Sequence, residues 1–117
     1  MRDPKPVVYV SGPITVGDLE ANVMRAIRAA EELREIGAIP IVPHLSVAWQ
    51  QRSPHRYRYW LDLDLDLIAS GAVDAVYRLD GESGGAEEEC RLAARLDIPV
   101  IEDLDDAELW ITTWSCA

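Results

Sequence analysis

At 117 residues the chain has room for one compact core and not for two, so the whole of it, 1–117, is read as a single domain. Apolar residues make up 49% and charged residues 27%, the balance of a folded protein rather than a disordered one. A net charge of -10 argues against duplex nucleic acid or an anionic membrane as main partner, because both repel a chain with no basic face.

The first predicted element is a buried strand, Val7-Val8-Tyr9-Val10, β-branched and aromatic, that runs into the tight loop Ser11-Gly12-Pro13. Asp18 is a good N-cap, and Leu19, Val23, Ala26, Ile27, Ala30, Leu33 and Ile36 then recur at steps of three and four up to Gly37, placed as a C′ glycine. That is a helix. Ile39 to Pro43 predicts a second strand, and its prolines put it at a sheet edge. After a polar stretch come a helix over Trp60 to Ser70 and a third strand over Asp74 to Leu79. Gly-Glu-Ser-Gly-Gly, residues 81–85, opens a helix from Gly85 to Leu96, and Ile98 to Ile101 forms a fourth strand. The tail from Asp105 to Trp114 predicts a short helix followed by a last strand or extended segment. Alternation of this kind implies right-handed crossovers and an α/β fold with one doubly wound parallel sheet, flavodoxin-like or Rossmann-like, in strand order 2-1-3-4-5 with helices on both faces.

In such sheets a ligand binds beyond the carboxyl ends of the strands where the order reverses, here between strands one and three. The loop after strand one supplies Ser11, Gly12, Pro13, Ile14 and Thr15 as candidate ligand-binding residues: a close backbone approach at Gly12, hydroxyls at Ser11 and Thr15. The loop after strand three supplies free amides at Gly84 and Gly85, at the positive end of a helix. Three glutamates follow, and all would suit that dipole. Helix phase separates them, because Glu89 lies three after Ala86 and four before Ala93 on the apolar side, while Glu88 is expected to point most nearly to solvent. A carboxylate turned inward is costly and marks a candidate for chemistry. The helix before strand three carries Asp62, Asp64 and Asp66. Asp62 and Asp66 share a face at i, i+4, and Asp66, eight residues before Asp74, is the expected second carboxyl.

Val8 to Thr15 (Val-Tyr-Val-Ser-Gly-Pro-Ile-Thr), Pro43-His44, Asp66 before Asp74, and Ser83 to Glu89 together resemble the nucleoside 2-deoxyribosyltransferase superfamily, and more narrowly its DUF4406 branch, related to the 2′-deoxynucleoside 5′-monophosphate N-hydrolases. The likeness runs from residue 7 to about residue 101. It implies cleavage of an N-glycosidic bond, by hydrolysis or base exchange. By that resemblance Glu89 is the nucleophile, Asp66 handles the leaving base and Tyr9 orients the nucleophile. Ser83 contacts the sugar or a 5′-phosphate, and His44 lines the pocket. The monophosphate hydrolases have an arginine where this chain has Thr15. Relatives complete each site with a neighbouring subunit, so a homodimer or higher homo-oligomer is expected, with Trp110 to Trp114 either in that contact or in the chain's own core.

The implied chemistry has a physical basis. An oxocarbenium-like centre at C1′ is captured or stabilised by a carboxylate below it, and the departing base takes a proton from a carboxyl with a raised pKa. Arg52, His55, Arg56 and Arg58, beside Tyr57 and Tyr59, form the basic patch of the chain, either a flap over a phosphate or a solvated loop. Two other readings stay open: a lysine-decarboxylase-like phosphoribohydrolase, and a nucleotide-binding module without catalysis. No metal or cofactor is expected, since neither Cys90 nor Cys116 has a ligand partner at metal spacing, and both are expected to be reduced thiols. No apolar run approaches the roughly 18 residues of a membrane span and Met1 to Pro6 has no signal-type segment, so the expected location is the cytoplasm.

Overall fold

The computed structural model describes residues 3–115, and Cys116 lies outside them. Four parallel strands form one sheet: β1 (Val7–Ser11), β2 (Ile39–Ile41), β3 (Ala75–Arg78) and β4 (Val100–Ile101), in the order β2-β1-β3-β4. The chain steps outward from β1 to β2 and then crosses back to β3. That reversal puts the open crevice between the carboxyl ends of β1 and β3, where Ser11 pairs in register with Arg78.

Helix α1 (Leu19–Ile36) keeps its predicted caps: the Asp18 carboxylate accepts from Ala21 N at 3.2 Å, and Gly37 closes the helix at φ 124°. Two elements between β2 and β3 have no counterpart in the sequence reading, a 3-10 turn (Pro43–Leu45) and helix α2 (Ser46–Arg52), and α3 begins at Tyr57 rather than Trp60, running to Ala69. Their starts carry no side-chain cap, since Leu45 and Arg56 occupy the N-cap positions, so the usual polar start signal is missing. Helix α4 spans Gly84–Arg95, with the Ser83 hydroxyl accepting from Ala86 N at 3.1 Å.

Among the described residues there is no fifth strand. Residues 104–113 form helix α5 (Leu104–Thr113), capped by Asp103, whose carboxylate accepts from Asp106 N at 2.8 Å. A cap followed by Ala107 and Ile111, four apart and both buried, commits the tail to one amphipathic helix. Trp110 packs with them against this chain's own core.

Strand alternation divides the core in two. Val8 and Val10 of β1 face α1 and α5, in a cluster with Ala26, Leu33, Tyr77 and Ile111. Tyr9 faces the other way, into a cluster with Ile68 of α3, Val76 and Ala93 of α4. Ser11, two residues on, shares that side. Among the described residues no helix is long and apolar enough to cross a membrane.

Gly12, at the end of β1, is a tight point. A Cβ there would lie 2.9 Å from Leu79 Cβ, and Leu79 is tied to β1 by its N–H donating to Ser11 O at 2.7 Å. Neither side can give way cheaply. Gly12→Ala is expected to destabilise the fold by about 1–3 kcal/mol, seen as a lower urea midpoint at unchanged slope. A variant as stable as the parent would show that the two strand ends are not locked together.

Candidate active site

Glu89 is the centre of the site. It projects from the face of α4 that also buries Gly85, Ala86 and Ala93, one turn to either side, and is 5% exposed. Directly beneath it, β1 presents Tyr9 and Ser11, which are two residues apart and therefore on the same face. The Tyr9 hydroxyl donates to Glu89 Oε2 at 2.7 Å and the Ser11 hydroxyl to Oε1 at 2.7 Å. Each carboxylate oxygen is thus held by one hydroxyl. Burial pushes the Glu89 pKa upward, while the two hydroxyl donors and the charge of Arg78 oppose that shift and favour the anion. Tyr9 is fully buried, and burial and the Glu89 charge drive its pKa far above the ordinary phenol value, so it remains a donor.

The second carboxyl is Asp64, not Asp66. Asp66 is exposed and does not border the cavity, whereas Asp64 does. On α3 the buried positions are Leu61 and Ile68, and Asp64 lies three after one and four before the other, in the inward stripe. Asp66 lies two residues from Ile68 and falls outside it. Distance along the helix favours Asp66, whereas apolar phase places Asp64 on the cavity. Burial first, and then the charge of Glu89, raise the Asp64 pKa to about 7, with the Tyr9 hydroxyl pulling the other way. Burial thus pushes both carboxyls upward, but they differ in their neighbours. Glu89 has two hydroxyl donors that favour its anion, whereas Asp64 is pushed further by the Glu89 charge and holds its proton near neutral pH.

These groups border a cavity of about 390 Å³, walled by the loop after β1 at Gly12, Ile14 and Thr15, by Ser83, Gly84 and Gly85 at the start of α4, and by α2 and α3. The loop after β1 is shaped from α1, where Asn22 Nδ2 donates to the carbonyls of Ile14 at 3.0 Å and Val16 at 2.8 Å. The turn after β3 is held by two guanidinium groups, Arg25 Nη2 donating to Asp80 O at 2.6 Å and Arg78 Nη2 to Gly81 O at 2.9 Å. Gly81, at φ 119°, abuts Pro13, so the two loops brace each other.

Several expected ligand-binding residues stand behind the wall rather than in it. Ser11 is fully buried and occupied with Glu89. Pro13 is buried against Gly81. His44 is also fully buried and outside the cavity lining; its Nε2 lies 3.1 Å from the Pro13 carbonyl, which requires that nitrogen to carry the proton. Burial holds its pKa below the usual histidine range, so it is a neutral strut under the loop. Its Nδ1 is buried without a partner among the described residues.

The glutamate triplet also resolves differently. Glu87 is the exposed one, and Glu88 pairs with Arg58 of α3 at 3.2 Å. Arg58 also holds Asp62 at 2.8 Å, and neither it nor Arg52, His55 or Arg56 borders the cavity. What that segment contributes is Tyr57, whose hydroxyl lies over Gly85: a Cβ on Gly85 would come within 2.5 Å of it. Tyr57 stood beside the expected basic flap, whereas Trp60, Gln50 and Asn22 had no signal beyond their residue types. Their roles come from pairings across α1, α2 and α3. Among the described residues no group of three or more His, Cys, Asp or Glu is placed to hold a metal ion, and Cys90 is a free, half-buried thiol.

A family model described as a domain of unknown function, DUF7768, matches residues 6–103. The chain belongs to the DUF7768 family. The matched span begins just before β1 and ends just before α5, so the DUF7768 region contains every cavity-bordering residue and both carboxyls. No curated protein matches the chain.

Proposed function

We propose that this DUF7768 domain cleaves the N-glycosidic bond of a nucleoside, with Glu89 as nucleophile and Asp64 as the acid that protonates the departing base. The observation that carries the reading is the pair of unlike carboxyls on one cavity: Glu89 with both oxygens held by hydroxyl donors, and Asp64 with a pKa raised to about 7. As the C1′–N bond breaks, the Asp64 proton passes to the base nitrogen and a Glu89 oxygen bonds to C1′. An acceptor then attacks C1′, the ester bond returns its electrons to Glu89, and Asp64 takes the acceptor's proton. Water as acceptor makes the reaction a hydrolysis, and a second base makes it an exchange. The resemblance to the nucleoside 2-deoxyribosyltransferases supports the same assignment for Glu89 and Tyr9.

The cavity favours an uncharged nucleoside over its 5′-monophosphate. Among the described residues its lining includes no lysine or arginine, and a phosphate placed there would meet the Glu89 charge with no guanidinium or ammonium partner. A small neutral substrate suits action in the cytoplasm, where nucleosides circulate. Incubation with ribo- and deoxynucleosides and their 5′-monophosphates, with and without a free acceptor base, is expected to release or exchange base from the nucleosides, read by liquid chromatography. Turnover confined to the monophosphates would overturn the substrate preference, and no free base from any compound would overturn the chemistry.

A further inference from the structure

Gln50 of α2 borders the cavity, and its amide is held in one orientation. Its Oε1 accepts from the Trp60 indole N–H at 2.5 Å and from the His55 backbone N–H at 2.8 Å. Both partners are donors only, so the atom they meet is an oxygen and the amide cannot be flipped. A carbonyl oxygen has two lone pairs, and both are engaged. The Nε2 amino group has no partner among the described residues, nor is it a buried unpaired atom. What Gln50 can offer a ligand is therefore a hydrogen-bond donor and nothing else.

The bracing extends into an aromatic cluster. Trp60 packs edge-on against Trp49 at 4.9 Å and Tyr59 at 5.0 Å, and His55 stacks on Tyr59 at 3.8 Å, so both donors to Gln50 sit in one aromatic cluster. Trp60 is also four residues before Asp64 on α3, on the same helix face, and both border the cavity. Trp60 thus ties Gln50 to the helix that carries the base-side acid. Pro43, Val47 and Leu61 add apolar surface to the same cavity, fit for a flat ring.

We infer that Gln50 selects the leaving base: its amino group donates to an exocyclic carbonyl oxygen, so the site prefers a base presenting a carbonyl at that edge over one presenting an amino group there. This rests on the nucleoside reading, and the test separates the two. Gln50→Glu keeps an oxygen to accept from Trp60 and His55 and replaces the donor by an acceptor. Calorimetric binding of the free bases hypoxanthine and uracil is compared with that of adenine and cytosine. The parent is expected to bind the carbonyl bases about tenfold tighter, the worth of one good hydrogen bond. Gln50→Glu is expected to abolish or invert that ratio, and because the readout is a ratio, a partly unfolded sample does not alter it. Gln50→Met, which removes donor and acceptor alike, is expected to bring the ratio close to one. An unchanged ratio in Gln50→Glu, or none in the parent, overturns the inference. Cleavage of nucleosides with an unchanged base ratio would sink the role of Gln50 and leave the chemistry standing. A swapped ratio without cleavage would do the reverse, and no binding with no cleavage would overturn both.

Discussion

Glu89→Gln is expected to lower nucleoside cleavage by at least about a thousandfold while leaving the fold and ligand binding in place, because the amide cannot form the bond to C1′. Structural damage should be small. The Tyr9 and Ser11 hydroxyls that donate to the carboxylate at 2.7 Å can each turn to accept from, or donate to, an amide of the same shape. Replacing a buried anion by a neutral group also removes a desolvation cost, so the variant should unfold at equal or higher temperature. Two measurements check this together: single-turnover release of base, and the melting temperature with and without nucleoside. A variant that still binds nucleoside and still cleaves it would remove Glu89 from the mechanism. A parent protein that binds and never cleaves would leave the non-catalytic binding module as the surviving reading.

The second large effect belongs to Asp64 and carries a pH signature. Asp64→Asn is expected to slow cleavage by about 10²- to 10⁴-fold, the usual worth of a positioned proton donor, and Asp66→Asn to leave the rate unchanged because Asp66 is exposed and away from the cavity. The pH dependence should identify the group. The acid acts while protonated, so cleavage is expected to fall as pH rises through about 7, and the Asn variant should lose that limb. A substrate whose leaving group departs without a proton, such as a nitrophenyl riboside, should recover most of the lost rate in the variant. Stability follows the same sign. A carboxyl whose folded pKa lies above its ordinary 3.8 favours the fold when protonated, and that contribution is lost as pH climbs from about 4 through about 7. Denaturant titrations of the parent should show it and those of Asp64→Asn should not. Equal losses in Asp64→Asn and Asp66→Asn would return the assignment to the helix as a whole.

The contrast between these two aspartates shows what was legible beforehand. The alternation of elements, the caps of α1 and the glycine turn before α4 are local signals with local causes, and the structure keeps them all. Glu89 was legible because α4 has an unambiguous apolar stripe through Ala86 and Ala93. Asp64 was not, because α3 alternates Asp and Leu residue by residue, and such a pattern does not announce its helical phase. Only the burial of Leu61 and Ile68 decides it. Helix α2 was missed for want of a cap, and the predicted fifth strand was lost to a cap at Asp103 that starts a helix. His44, read as a pocket residue, became a strut because Pro13 needed a donor beneath its carbonyl.

The sequence alone determined the fold class, the crevice between β1 and β3, and the glutamate at its centre. Each rests on a period of two or about 3.6 residues, or on a glycine or cap, and such features are written into a few neighbouring positions. Tertiary structure decided the partners: the hydroxyls that hold Glu89, the aspartate beside it, and the indole and amide that leave Gln50 a donor alone. Those pairings join residues of different elements, across a strand face, between α2 and α3, or from β1 to α4. Chain distance carries no record of them, because side-chain direction and burial are set only when the elements pack.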